Sequence, residues 1–218
     1  MAAVLVSLFV LGVGMRTYNL DVNDLTDVKN LSDKVGGFGD VDFSDRGSAG
    51  GTAISADFVS GGNVSDMVYR GDIRTLRVEG DEVDVDAGFS TTDTKVLVKN
   101  LSGTVRIEGG NLSVTGRTKY LVVGDREMRS EERGRIEISS EPSEVFVENV
   151  SGIDFSFDDV EGSLDLEAYS LSFESTPLEL KSFTGSLEKN FDESSYVMKG
   201  VVKRGSVGPE GSRTVIGD

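Results

Sequence analysis

From about Val68 onward, apolar and polar residues alternate in short runs. Leu76-Arg77-Val78, Val83-Asp84-Val85, Val96-Leu97-Val98, Val105-Arg106-Ile107 and Leu112-Ser113-Val114 come first. Ile136-Glu137-Ile138, Val145-Phe146-Val147, Ile153-Asp154-Phe155-Ser156-Phe157, Leu164-Asp165-Leu166, Leu171-Ser172-Phe173 and Leu178-Glu179-Leu180 follow. Side chains on a strand point alternately to opposite faces, so this rhythm predicts half-buried strands separated by turns. No helical pattern intervenes, which argues against a βαβ design. Regular short strands suit an all-β solenoid, sandwich or barrel.

The chain opens differently. Ala2 to Met15 carries no charge, and Thr17, Tyr18 and Leu20 extend that run toward the ~20 residues a membrane-spanning helix needs. Arg16 would sit at the interface. A membrane anchor, a cleaved signal segment ending near Gly12-Val13-Gly14 and a buried core helix are the three readings. No basic residue precedes the apolar run, as a standard signal peptide would require. Val22, Leu25, Val28, Leu31 and Val35 recur at three- and four-residue steps and predict an amphipathic helix. Residues 36–62 hold eight glycines among Ser and Asp, the composition of a connector, although Ala53 to Phe58 could form one strand. The expected organisation is an anchor or signal segment over 1–20, an amphipathic helix over 21–35, a Gly-rich acidic linker over 36–67, and an all-β repeat domain over 68–218.

A degenerate unit recurs inside that domain. Val96 to Gly103, Val145 to Gly152, Phe155 to Gly162 and Leu178 to Gly185 share one frame. It reads apolar-x-apolar-x-(Asn/Asp/Ser)-apolar-(Ser/Thr/Glu)-Gly. The alternating triplet would bury one strand face, and the short polar residue would start a turn by bonding local backbone. The following apolar residue would tuck beneath it. Gly103, Gly152, Gly162 and Gly185 would take positive φ before a new strand. Such corners suit a β-solenoid rung, though the uneven spacing of the copies also fits hairpins in a β-sandwich. On these residues the chain resembles the adhesin-type β-solenoid domains of bacterial and archaeal envelope proteins, and more distantly the bactofilins. The resemblance covers roughly residues 68 to 208. It implies surface structure, adhesion or scaffolding, and no catalytic residues.

Composition narrows the chemistry. The 218 residues include no His, no Cys and no Trp. Disulfides, thiolate metal sites and His-dependent catalysis are therefore absent from the repertoire. Against 22 Lys and Arg stand 38 Asp and Glu, a formal charge of −16 that opposes binding to nucleic acid. The basic residues Arg126, Arg129, Arg133 and Arg135 are interleaved with acids, as on a solvated excursion between strands. Lys199, Lys203 and Arg204 form a small basic end to the last strands. Asp40, Asp42 and Asp45, and then Asp81, Glu82, Asp84 and Asp86, cluster oxygen ligands of the kind Ca²⁺ takes, without matching a known Ca²⁺ loop. No other cofactor is implied.

Asn30, Asn63, Asn100, Asn111 and Asn149 each begin an Asn-x-Ser sequon. Glycosylation of an exported surface is one reading. The turn chemistry of the repeat is the other, and Asn100 and Asn149 sit in that turn. The combined expectation is a membrane-anchored, extracytoplasmic envelope protein with a structural, adhesive or scaffolding role and no catalysis. Its partners would be the membrane through the N-terminal segment, and other envelope proteins or itself. A polymerising bactofilin-like scaffold on the cytoplasmic face, which Arg16 favours under the positive-inside rule, and a lipid-carrying β jelly roll are the alternatives.

Overall fold

The computed structural model describes residues 50–61 and 66–217. The expected anchor over 1–20, the amphipathic helix over 21–35, the acids at 40–45, Asn30 and Asn63 lie outside the described residues. Within them the chain is all-β. Nine strands follow in order: β1 (Thr52–Ser60), β2 (Met67–Asp86), β3 (Ser90–Glu108), β4 (Asn111–Val123), β5 (Arg126–Leu166), β6 (Ser170–Asn190), β7 (Ser195–Val202), β8 (Arg204–Val207) and β9 (Thr214–Ile216). Part of the segment read as a linker is therefore folded. β1 pairs with both β5 and β7.

Every strand pair is antiparallel, and all nine strands belong to one sheet. The solenoid expectation is not met among the described strands. Rungs of a parallel β-helix stack in parallel, whereas here each strand mostly returns beside its predecessor as a meander. The physical reason lies in the turns. Most are tight reversals, such as Gly109-Gly110 between Glu108 and Asn111, which stand opposite each other in the ladder. A short reversal can join only antiparallel neighbours.

The sheet closes on itself twice through β5, which is 41 residues long. In the first circuit β2 pairs β3, β3 pairs β4, β4 pairs the start of β5, and β5 from Glu137 to Glu148 returns to β2. In the second, β5 from Glu144 onward pairs β6, β6 pairs β7, β7 pairs β1, and β1 returns to the end of β5. β8 extends the sheet from β6 and β9 from β8. Circuits of this kind remove most free strand edges.

The core follows the alternation. In the first circuit it is aliphatic, with Leu76, Val78, Val98, Leu101, Val105 and Val114 wholly buried. In the second, aromatic rings join aliphatic residues such as Leu164 and Leu180. Phe58 stacks on Tyr196 at 5.2 Å and meets Phe157 edge-on at 4.9 Å, while Phe155 meets Phe183 edge-on at 5.8 Å. Offset and edge-to-face arrangements of this type add to the burial of area.

The repeated frame has a structural meaning that differs in part from the expectation. Its sixth residue is buried in all four copies, as Leu101, Val150, Val160 and Phe183. Its fifth residue, not its glycine, most often takes positive φ: Asn100 at 54°, Asn149 at 71° and Ser182 at 53°. The strand continues through each corner. On β5 Asn149 and Gly152, and on β6 Ser182, are extra residues where the β5–β6 register slips. These are bulges, which bend and twist a strand without ending it. Asn tolerates the left-handed region better than most residues.

Of the four glycines expected there, only Gly152 has a clear positive φ, at 73°; Gly162 lies near the extended limit at 157°. Gly103 and Gly185 are not left-handed. Their role is close approach. Gly103 stands opposite Gly116 on β4, and Gly185 opposite Gly200 on β7. A Cβ on Gly103 would lie 2.6 Å from Gly116 Cα, and one on Gly185 would lie 2.6 Å from Gly200 Cα. Facing glycines let the two backbones fold tightly where the sheet bends.

Candidate interaction surface

The pairing of β2 with β5 stops partway along both strands. The β2–β5 ladder runs from Asp86–Glu137 to Thr75–Glu148. Beyond it, Met67–Ile73 pair only with β3, and Val150–Phe157 pair only with β6, among the described residues. The bulges at Asn149 and Gly152 turn β5 away, so the strands part like an opened zipper. A groove of about 400 Å³ lies between them, lined on one side by Asp66 to Arg70 and on the other by Ser151 to Asp154. Both walls are strand edges. Asp66 accepts the Gly109 N–H at 3.0 Å, and Asp154 accepts the Ser182 N–H at 2.8 Å. Val68 on the β2 wall is 53% exposed.

A second concavity lies over β2, β3, β4 and β5 and is lined by Asp84, Asp86, Thr92, Thr115 and Glu137, with Ser residues between them. Asp84 accepts the Thr92 hydroxyl at 2.7 Å, and Asp86 accepts the Gly88 N–H at 3.2 Å. The alternation thus places Glu82, Asp84 and Asp86 on the exposed face of one strand, as expected. Asp84 thereby satisfies a hydroxyl and Asp86 a backbone N–H. Among the described residues, no group of three or more acids is arranged to hold a metal ion.

The most connected polar cluster centres on Arg77 on β2. Its guanidinium meets Glu144 at 3.2 Å and Glu188 at 3.9 Å and lies 5.1 Å above the Phe146 ring. Beside it, Glu148 accepts the Thr75 hydroxyl at 2.7 Å and pairs with Arg74 at 3.4 Å. Burial, and next the neighbouring Glu144, push the Glu188 carboxyl above its ordinary range, against the pull of Arg77 and Lys199. Two adjacent carboxylates bridged by one Arg on β2, β5 and β6 pin the junction of the two circuits.

Of the arginines expected on a solvated excursion, Arg126, Arg129 and Arg135 belong to paired strand, opposite Val123, Tyr120 and Arg117, whereas Arg133 falls within residues 130–133, which the register slip leaves without a partner on β4. They remain exposed, and Glu127–Arg129 and Glu137–Arg135 pair along one face. Arg204 stands opposite Lys181, which enlarges the basic end anticipated at Lys199, Lys203 and Arg204. Among the sequons, Asn100 and Asn111 are exposed and Asn149 is partly buried.

One residue escaped the sequence reading. Lys189 is 2% exposed, and its Nζ has no hydrogen-bond partner among the described residues. It lies on an inward row with Val145 on β5 and Tyr196 on β7. Its Nζ sits 3.9 Å from the Tyr196 ring centroid and 5.5 Å from that of Phe191. Burial lowers the amine to about 8. The only sequence signal was position: Leu187, Lys189 and Phe191 alternate, which puts the lysine on the apolar face.

Among the described residues no helix is long and apolar enough to cross a membrane. No family model, no curated protein and no solved structure matches this chain.

Proposed function

We propose that this is a structural protein of the cell envelope, tethered to a membrane by residues 1–20, whose folded part works by displaying a rigid acidic surface and open strand edges rather than by catalysis. The observation that carries the reading is the parted pair of edges at Met67–Ile73 and Val150–Phe157, in a sheet whose described strands mostly pair on both sides. Unpaired strand edges are templates for another strand, and a strand-addition surface is a means of assembly. The packed interior agrees with a mechanical role: Leu164, Leu178, Leu180 and Phe183 are wholly buried. The same packing gives no support to a lipid carrier, which needs an apolar groove open to its cargo.

A scaffold on the cytoplasmic face would use the same edges, and Arg16 after the apolar run favours that side. One experiment separates the two. A specific protease site is inserted after Ser48 in the full chain, and intact cells and inverted vesicles are treated in parallel. The envelope-surface reading expects the chain in the membrane fraction, cut from outside in intact cells. Cutting only in inverted vesicles would move it to the cytoplasmic face. A chain that stays in the soluble fraction would overturn the tether.

A further inference from the structure

Lys189 is the next-to-last residue of β6, and the turn of residues 191–194 joins β6 to β7 just beyond it. Its amine is enclosed at that end of the second circuit, with Val145 and Tyr196 as ladder neighbours and the rings of Tyr196 and Phe191 around it. Of the described groups on this inward row, only the Tyr196 phenol titrates. Glu144 on β5, Glu188 on β6, Lys199 on β7 and Asp57 on β1 fall on the opposite face by alternation. Asp192 and Glu193 in the turn, and Asp159 on β5, are exposed. The amine is lowered by burial, with no neighbouring charge contributing.

A few hydrogen bonds hold the turn down. The Phe191 N–H donates to Ser143 O at 2.8 Å, the Ser60 N–H to Ser194 O at 3.0 Å, and the Glu193 N–H to Asn190 Oδ1 at 2.9 Å. Ser194 takes a left-handed φ of 53°, a conformation that L residues adopt at a cost. A lysine stem ordinarily carries its charged head to water. Lys189 is one residue from the end of its strand, so lifting the turn would release the ammonium to solvent and leave the rest of the sheet paired.

We propose that the β6–β7 turn is a proton-operated flap: it closes over the neutral amine of Lys189 and lifts when that amine takes up a proton from solvent, baring Phe191 and the ends of β6 and β7. In water the amine has its ordinary 10.5 and in the closed form about 8, so the lifted form binds the proton more tightly. Lifting therefore becomes easier as pH falls from 10.5, and levels off below about 8. The flap uses only residues of the second circuit and does not depend on the envelope reading.

Amide hydrogen exchange, followed by mass spectrometry after millisecond quench-flow labelling, tests this on the full-length protein in mild detergent. Peptides over residues 187–198 report the turn, and peptides over β3 and β4 report the rest of the sheet. Corrected for intrinsic rates, protection of the wild-type turn amides should rise at least about tenfold from about pH 7 to about pH 9.5. At about pH 7 the turn amides of Lys189→Met should exchange at least about thirtyfold more slowly than those of the wild type, and the gap should narrow by about pH 9.5. In about 1 M urea turn exchange should stay unchanged while the β3 and β4 amides accelerate, because a local opening exposes little surface. Wild-type protection that is flat across this pH range overturns the flap, and that series needs no variant. So does a Lys189→Met turn that exchanges as fast as the wild type. Turn amides with the same protection and urea response as β3 and β4 would also overturn it, because Lys189 would then act only on unfolding of the whole sheet.

Discussion

The amine of Lys189 lies 3.9 Å from the centroid of the Tyr196 ring, directly across the β6–β7 ladder and within the aromatic end of the core. The ring face attracts the cation, but it replaces little of the hydration lost on burial. Moving the amine from 10.5 to about 8 corresponds to a cost on the order of 3 kcal/mol for the charged form at neutral pH. Lys189→Met keeps the stem and removes the charge. It should raise stability by about 1–3 kcal/mol at pH 7, measured by urea denaturation.

The same residue sets a pH dependence. Between about pH 8 and 10.5 the unfolded chain binds the proton that the folded chain has released. Stability contributed by Lys189 should therefore be lowest and flat below pH 8, and should climb across that window. Thermal melts of the wild type and Lys189→Met should converge as pH rises toward 10. Parallel curves would show that Lys189 is not the group responsible.

Glu188 should behave in the opposite sense. Its folded carboxyl is held above the ordinary 4.5, chiefly by burial, so the folded state keeps a proton the unfolded chain has lost. Stability from this group is present at low pH and is lost as pH rises through the folded value. Glu188→Gln should raise the melting temperature at pH 7, with the gain vanishing below about pH 4. A loss at pH 7 would mean that the 3.9 Å contact with Arg77 outweighs desolvation.

The glycine pairs offer a sharper structural test. A methyl on Gly103 or Gly185 would press on the facing glycine's backbone at 2.6 Å, which cannot yield without moving a strand. Gly103→Ala and Gly185→Ala should each cost at least about 2 kcal/mol. Gly134→Ala meets no heavy atom within 4 Å and should change stability by less than about 0.5 kcal/mol. Equal effects at all three positions would show that close approach is not what these glycines provide.

A formal charge of −16 also predicts a response to salt. Screening shortens the reach of repulsion from ~10 Å at 0.1 M to ~3 Å at 1 M. The melting temperature should rise with NaCl over that range. A fall would show that local pairs such as Lys95–Glu79, at 2.8 Å, outweigh the global repulsion.

The strand content and the buried face of each strand were legible because a two-residue period has one physical cause. Val83, Val85, Ile136, Ile138, Val145 and Val147 are all buried where the alternation placed them. The inward corner residues Leu101, Val150, Val160 and Phe183 were legible for the same reason. Pairing partners were not. Alternation says which face is apolar and nothing about which strand lies alongside, so stacked rungs and returning hairpins read alike. Asn100, Asn149 and Ser182 were read as chain reversals because their residue types serve turns and bulges equally. The candidate groove was hidden for a related reason, since it exists only where two segments some eighty residues apart fail to stay paired.

What the chain order of apolar and polar residues settled alone is that the described part is all-β, with an acidic exterior and no thiol or imidazole chemistry, because burial and composition are local properties. Only the tertiary structure decided that β5 serves two circuits, that Gly103 and Gly185 exist to let backbones meet, and that Lys189 is enclosed among rings. Those facts depend on long-range register, which is set by many weak cross-strand contacts acting together rather than by any one residue's preference.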